Sequence, residues 1–301
     1  MSGDLSTDST GRSLLLAEAR ADAVRAAECW GLPFAGQRWS GSMGAERGRR
    51  SGHSLEFDDH RGYVLGDDLR HMNWNVYART GQHVLKVFRE EVSPLVDVLV
   101  DGSCSMVITP QKERRVRALV EWVKISAKSS AASQRIWFGK AHTIEVLDGE
   151  MGGEDLEWKG EVGEVSDREG ETLGAGVVWR RGAMRVIVTD CLWAGDPGAW
   201  LGMMARDAGE VLLLVPYVAE ESDPRWSGGI EFVDSESGEV RIQRVDSGVL
   251  ESYRSAYRRH FRLWEEEARR RSIRFLRVGC EAALVDEFAA SGVLAGVVQS
   301  R

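Results

Sequence analysis

Residues 95–106, "LVDVLVDGSCSM", decide the fold class, because an apolar, β-branched run ends on Asp101 and a short polar turn follows it. Residues 184–193, "MRVIVTDCLW", repeat this arrangement and end their apolar run with Asp190. Predominantly apolar, β-branched runs of this kind are typical of parallel strands that are buried on both faces. Strand-like and helix-like segments alternate around them. We therefore predict an α/β fold with a doubly wound, mostly parallel sheet flanked by helices.

Oxygen-bearing side chains lie where these predicted strands end. In an open α/β sheet, ligands bind just beyond the carboxyl ends of the strands, so these side chains are expected to converge there. Carboxylate and hydroxyl oxygens suit a hard cation such as Mg²⁺ or Mn²⁺. The alternative is that the hydroxyls cap helices or turns and that the aspartates accept bonds from backbone amides. The predicted ligands of the cation are Asp101, Ser103, Ser105, Thr172 and Asp190.

Composition restricts the class of protein. The chain has 301 residues, of which 43% are hydrophobic and 29% charged, as expected for a globular protein. A formal charge of −8 argues against a nucleic-acid partner. The 4 cysteines form no C-x-x-C pair, which excludes a thiolate zinc site and favours a cytoplasmic location. No stretch approaches the roughly 20 apolar residues of a membrane span, so direct membrane insertion is not expected.

The chain is predicted to have three parts: a disordered tail over 1–12, an N-terminal segment over 13–93 packed on the core, and an α/β domain over 94–301. "IEFVDSESGEVRIQRV" interrupts the α/β order and predicts an inserted β-hairpin that turns near Ser237. Predicted helices cover 13–30, 110–128, 172–180, 197–208 and 250–271. Predicted strands cover 84–88, 95–100, 135–138, 143–147, 185–189, 211–215 and 273–278.

The strings "DGSCSM", "GETLGAG" and "VIVTD" together resemble the von Willebrand factor type A fold and its metal-ion-dependent adhesion site. The upstream string "HRGYVLGDDLRHMNWNVYART" resembles the signature of the bacterial family called domain of unknown function 58, R-x-Y-x-x-G-D-D-x-R-x-x-D-W-x-x-x-A-R. The similarity covers about residues 13–297. Asn73 stands where the signature has Asp, which leaves open the role of charge at that position. The matching residues are Arg61, Tyr63, Gly66, Asp67, Asp68, Arg70, Trp74, Ala78 and Arg79.

This resemblance implies that the five predicted ligands hold a metal and that a carboxylate from a partner protein completes its coordination. Family members often accompany MoxR-type AAA+ ATPases, which implies a non-enzymatic adaptor or co-chaperone. Two alternatives stay open. One is a scaffold whose cradle binds no metal, and the other is a Mg²⁺-dependent hydrolase or phosphotransferase that uses Asp101 and Asp190. The chain has neither a P-loop nor a G-x-S-x-G elbow, which disfavours the enzyme.

The block 61–79 also permits two interpretations. We predict a structural clasp on the α/β core in which Trp74 is buried and the arginines pair with acidic groups such as Asp67 and Asp68. The alternative is a second binding site, for an anion, built from the same arginines. The residues of this block that are assigned to one role or the other are Arg61, Tyr63, Asp67, Asp68, Arg70, Trp74 and Arg79.

Overall fold

The computed structural model describes residues 9–34, 55–65, 67–90, 93–140, 143–147, 153, 156, 173–193 and 195–301. It divides into two compact units. The core unit comprises Met1–Gly36 and Pro94–Arg301, and the inserted unit comprises Gln37–Ser93. The segment 13–93 of the sequence prediction is therefore shared between the two units, with the first helix in the core unit.

The described residues form twelve strands and seven α-helices. The strands are β1 (Trp30–Gly31), β2 (Leu55–Gly62), β3 (Val84–Glu90), β4 (Leu95–Asp101), β5 (Ser133–Lys140), β6 (Thr143–Leu147), β7 (Met184–Val188), β8 (Glu210–Tyr217), β9 (Gly228–Val233), β10 (Val240–Val245), β11 (Arg274–Gly279) and β12 (Gln299–Ser300). The helices are α1 (Ser9–Cys29), α2 (Trp74–Thr80), α3 (Pro110–Ser129), α4 (Pro197–Ala205), α5 (Ala219–Ser222), α6 (Ser247–Arg270) and α7 (Leu284–Glu287).

A six-stranded sheet forms the centre of the core unit, in the order β11-β8-β7-β4-β5-β6. Neighbouring strands run parallel throughout, except that β6 is antiparallel to β5. After Leu95, which is partly buried, the apolar side chains of β4 and β7 have no exposed surface, as the sequence run predicts for strands covered on both faces. The predicted α/β class with a mostly parallel sheet is confirmed.

Helices pack on both faces of this sheet. Helices α4 and α6 contribute Trp200, Phe261 and Trp264 to one apolar cluster, which also contains Leu99 and Leu213 of the sheet. Helix α3 contacts β5, β7 and β8 without joining that cluster, and α1 packs against α3. The sheet is therefore covered on two sides, which is the doubly wound arrangement.

The predicted helices over 110–128, 197–208 and 250–271 are present, although α4 ends earlier, at Ala205. Helix α3 begins where expected, because the Thr109 hydroxyl accepts a bond from the Lys112 amide and Pro110 occupies the first turn. The predicted β-hairpin is also confirmed, since β9 and β10 pair antiparallel and form a separate two-stranded ribbon.

The short helix predicted over 172–180 is wrong. Residues 173–176 form a turn, and residues 177–180 have no regular structure. Gly174 has φ +83°, a left-handed conformation that stops a right-handed helix. The backbone that follows is instead fixed by a tertiary contact, because the Arg180 amide and guanidinium both bind the buried Asp97 carboxylate.

The inserted unit contains the antiparallel pair β2–β3 and the short helix α2. The Asn73 side chain accepts a bond from the Val76 amide and caps α2, and Gly81 ends the helix with φ +72°. Asn and Asp are equally good N-caps, so replacing the signature's Asp with Asn keeps this role without a charge.

None of the described helices is both long enough and apolar enough to cross a membrane.

Candidate metal centre

Four of the five predicted ligands lie at the carboxyl edge of the sheet. Asp101 ends β4, and Asp190 follows the neighbouring parallel strand β7, with Val100 and Val188 as register partners. Ser103 and Ser105 lie in the turn after β4, where their hydroxyl oxygens are 3.1 Å apart. The fifth predicted ligand, Thr172, lies outside the described residues. We call Asp101, Ser103, Ser105 and Asp190 the cradle.

Asp101 is held rigidly and is almost fully buried. The Ser103 amide donates to its Oδ1 at 2.9 Å, and the Thr189 hydroxyl donates to its Oδ2 at 2.6 Å. Burial, and secondarily the charge of Asp190, raises the pKa of Asp101 to about 6. A carboxylate whose charge is disfavoured in this way gains from a nearby cation.

Asp190 already has a cationic neighbour, which the sequence reading missed. Lys112 has no exposed surface, and its Nζ lies 2.9 Å from Asp190 Oδ2 and 2.6 Å from Glu221 Oε1. Burial opposes the charge on Lys112, but the two carboxylates outweigh it and raise the Lys112 pKa. Burial also raises the pKa of Glu221, more than the lysine lowers it. The buried Lys112 ammonium therefore places a positive charge beside the cradle, next to Asp190.

A carboxylate from another part of the chain covers the cradle turn, and this contact was missed as well. Glu236 Oε2 accepts a bond from the Cys104 amide at 3.0 Å, and Oε1 accepts one from the Ser105 amide at 2.7 Å. Glu236 lies at the tip of the β9–β10 hairpin, in a turn that Asp234 holds through three bonds to Glu236 and Ser237. The sequence signal was an acidic residue in the hairpin turn "DSESG".

The backbone after Asp190 is strained. Cys191 has φ +57°, which is uncommon for a residue other than glycine. Its amide binds the Thr189 hydroxyl, and the Leu192 amide binds Asp190 Oδ1 at 3.1 Å. Strain of this kind persists only where the surrounding bonds over-determine the conformation, and it is frequent at binding sites. Here it fixes the orientation of the Asp190 carboxylate.

The cradle fits Mg²⁺ in its donor chemistry. Its side-chain donors are all oxygens, as Mg²⁺ prefers. Two adjacent ligands of an octahedral Mg²⁺ with bonds of about 2.1 Å stand about 3 Å apart, close to the separation of the Ser103 and Ser105 hydroxyls. The described residues contain no cluster of three or more His, Cys, Asp or Glu side chains able to hold a metal, so any ion here would depend on the hydroxyls.

The Cys191 thiol near the cradle is buried. Burial, with smaller contributions from Asp190 and Asp101, raises the pKa of the Cys191 thiol well above its usual value. A thiol kept protonated is a poor nucleophile. The arrangement is suited to binding a cation and a carboxylate.

In the inserted unit, two predicted ion pairs are present but exposed. Arg61 makes a two-pronged pair with Asp67, with both distances 2.7 Å, and Arg70 pairs with Asp68 at 2.9 Å. The predicted burial of Trp74 is wrong, because 58% of its surface is exposed. Trp74 instead packs edge-on against Tyr77 at its helix surface. Exposed ion pairs contribute little to stability, so these two pairs add little to the free energy of unfolding of the inserted unit.

The remaining members of the block are also placed. The Tyr63 ring lies 6.3 Å from the His83 ring. Among the described residues, no ion pair of Arg79 is present, so its predicted pairing stays a prediction. The three arginines thus do not share one set of acidic partners, and the structure shows no common anion site for them within the described part of the unit.

Comparison with known proteins supports the family resemblance over part of the chain. Residues 59–136 match the family model described as "Protein of unknown function DUF58". The match includes the arginine block, β4 and the cradle turn, and is shorter than the expected 13–297. The predicted resemblance is confirmed over those residues. Among curated proteins, no match was found.

Two solved structures are similar at 12% identity. They are the conserved hypothetical protein BatB from Bacteroides thetaiotaomicron and an aerotolerance-related membrane protein from Bacteroides fragilis NCTC 9343 with multiple mutations to serines. For the first, the TM-score is 0.33 and the similarity covers 68% of this chain and 96% of that chain. For the second, the TM-score is 0.36 and the coverage is 68% and 99%. Similarity this weak supports no functional argument.

Proposed function

We propose that this protein is a non-enzymatic, metal-dependent protein-binding module of the cytoplasm. A Mg²⁺ or Mn²⁺ ion would be held by Asp101, Ser103 and Ser105, with Thr172 and Asp190 as further ligands. When bound, the ion supplies a positive centre that attracts a carboxylate. The partner is a protein that presents an acidic side chain to the cradle.

The contact of Glu236 with the cradle turn carries this proposal. A carboxylate that is remote in sequence is already held by the amides of Cys104 and Ser105, beside Asp101 and the two serine hydroxyls. The turn is therefore a receptor for a carboxylate in shape and in hydrogen bonding. A partner's acidic side chain would use the same two amides after displacing Glu236.

The protein's own residues prepare the site. Thr189 and the Ser103 amide hold Asp101 in one orientation, so its carboxylate need not be ordered when a ligand arrives. Lys112 partly balances the charge of Asp190, so the two aspartates can remain close together in the absence of a ligand.

The role proposed for the module is that of an adaptor or co-chaperone acting with a MoxR-type AAA+ ATPase. Its support is the family resemblance over residues 59–136. The test is co-purification from a native bacterial lysate on the immobilised protein, with Mg²⁺ or with EDTA, followed by identification of the captured proteins. Recovery of an AAA+ ATPase only with Mg²⁺ is expected. Capture that EDTA leaves unchanged contradicts the role of the metal.

The metal site is tested by calorimetric titration of Mn²⁺ and Mg²⁺ into the wild type and Asp101→Asn. The variant removes a charged ligand while keeping the side-chain shape, so a loss of affinity of about tenfold or more is expected. The matched control is Asp207→Asn, an exposed residue with φ +57° where Asn is well tolerated. Equal affinity in all three proteins contradicts the metal site.

Lys112 favours a second candidate, a scaffold that needs no metal. Its ammonium already provides a buried cation beside Asp190. In that case a partner carboxylate would replace Glu236 on the amides of Cys104 and Ser105 without the help of a metal ion. If the protein is a scaffold, substitution of Glu236 should change partner capture and EDTA should not. If it is a metal-dependent module, both should change partner capture.

A further inference from the structure

One edge of the central sheet has backbone groups that no described residue pairs. Strand β11 is the last strand at one end of the sheet and pairs with β8 on one side. The Cys280 amide donates to the Tyr217 carbonyl of β8, so the backbone groups of Cys280 point toward β8. In a parallel pair, alternate residues direct both backbone groups to the neighbour. Phe275, Arg277 and Gly279 therefore direct theirs away from β8.

One of these three outward amides is already capped. The Gly279 amide donates to the Glu287 carboxylate at 2.9 Å, which independently confirms that it points away from β8. For the amides of Phe275 and Arg277, no acceptor is supplied by any described residue. An uncapped edge of this kind is a template for an additional strand.

The uncapped half of β11 lies at the floor of a groove of about 640 Å³. The volume is in the range of sites that bind ligands, about 300–1,000 Å³. One wall is the end of α6, with Glu265 and Arg269, and the other is the segment with Leu294 and Ala295. Leu294 is 89% exposed, so that wall is apolar and accessible. The groove follows the strand, as an extended peptide requires.

On the α6 side of the groove, the cations Arg269 and Arg277 outnumber the single carboxylate Glu265, so this wall has a net positive charge. The Arg277 guanidinium lies over the rings of Phe261 and Tyr217, at 4.1 Å and 4.2 Å, and its Nη2 donates to the Tyr257 hydroxyl. Its buried Nε has no hydrogen-bond partner, and among the described residues no carboxylate pairs with it. Arg269 adds a second, exposed positive charge to the same wall.

The two walls determine the chemistry of the occupant. Successive side chains of an added strand point to opposite faces, so one set would meet the basic α6 wall and the other would meet Leu294 and Ala295. Acidic side chains suit the first wall and apolar side chains suit the second. We propose that β11 binds an extended segment of a partner protein in which acidic and apolar residues alternate, and that this segment adds as a seventh strand. This surface is independent of the cradle.

The test uses the full-length protein and two labelled peptides, one with four Glu-Val repeats and one with four Lys-Val repeats. Fluorescence anisotropy is expected to show binding of the acidic peptide at least about tenfold tighter, because like charges repel the basic one. Arg269→Gln should weaken the acidic peptide about two- to fivefold, as for an exposed ion pair. The control Arg259→Gln changes an exposed arginine of the same helix that does not line the groove.

Amide hydrogen exchange distinguishes strand addition from simple charge attraction. The acidic peptide should slow exchange at Phe275 and Arg277 and leave the capped Gly279 amide unchanged. Equal affinity for both peptides, or binding without this protection, overturns the proposal. Protection of the two amides in the free protein also overturns it, because another segment of this chain or a second copy would then occupy the edge.

Discussion

The two aspartates of the cradle have environments that the sequence did not distinguish. Asp101 and Asp190 were predicted as equivalent ligands, yet each has a different environment. Asp101 accepts bonds from neutral donors and has a raised pKa, whereas Asp190 is paired with the buried Lys112. A cation would therefore relieve the charge penalty mainly at Asp101.

This asymmetry gives a pH-dependent prediction for Asp101→Asn. The folded-state pKa of about 6 is above the roughly 3.9 of an unfolded chain. Between these values the folded state binds more protons, so the free energy of unfolding falls as the pH rises. Asn carries no charge, so the free energy of unfolding of the variant should be about 1–3 kcal/mol higher than that of the wild type at pH 8. At pH 4 the two proteins should have similar stability.

Urea unfolding in EDTA at both pH values measures this difference, with Asp207→Asn as the control. A stability difference that is the same at pH 4 and pH 8 would mean that the Asp101 charge is not the cause.

Lys112→Met tests the built-in cation. The substitution leaves Asp190 and Glu221 buried without their common partner, and breaking a buried pair typically costs about 3–5 kcal/mol. The melting temperature in EDTA should fall strongly, whereas the exposed Lys128→Met on the same helix should have little effect. Saturating Mg²⁺ should restore part of the loss if the cradle binds metal. A melting temperature unchanged by Lys112→Met would contradict the buried charge pair.

At the scale of elements, the β9–β10 hairpin is the feature that covers the cradle turn. Its strands are largely exposed and pair only with each other among the described residues. Glu236 at its tip therefore provides a specific attachment to the cradle turn. Hydrogen bonds to a charged group are worth about 1.5–3 kcal/mol, enough to keep Glu236 on the turn in the absence of a ligand.

Glu236→Ala should uncover the turn. The amides of Cys104 and Ser105 lose their acceptor, so their hydrogen exchange should accelerate by about tenfold or more. Exchange in β4 should stay as in the wild type. Partner capture should increase, because the competing carboxylate is gone. Glu239→Gln is the control, since Glu239 is an exposed acid of the same hairpin. Unchanged exchange at both amides would show that Glu236 does not hold the turn in solution.

At the scale of the whole molecule, α1 and the inserted unit contribute differently to the protein. Helix α1 precedes the inserted unit in the chain but belongs to the core unit. Asp22 on α1 binds the buried Arg115 at 3.0 Å and the Leu284 amide at 3.1 Å. These contacts connect α1 with α3 and with the first residue of α7. Arg70 in the inserted unit is instead 88% exposed.

The same substitution at these two arginines should therefore have unequal effects. Arg115→Ala removes the buried cation of Asp22 and leaves it only the exposed Arg25, so it should destabilise the core unit by about 3–5 kcal/mol. Arg70→Ala removes an exposed pair, so the melting temperature should change little. Differential scanning calorimetry of both variants measures the contrast. A large loss in Arg70→Ala would restore the buried clasp that the sequence suggested.

The sequence by itself determined the parallel strands, because runs such as Val186–Val188 are apolar enough to be buried on both faces. It also located Asp101, Ser103, Ser105 and Asp190, since strand ends converge at one edge of a parallel sheet. Only the tertiary structure decided what surrounds them. Lys112 lies 78 residues from Asp190, and Glu236 lies 131 residues from Ser105. Contacts at such separations depend on how the elements pack, and no local periodicity records that packing.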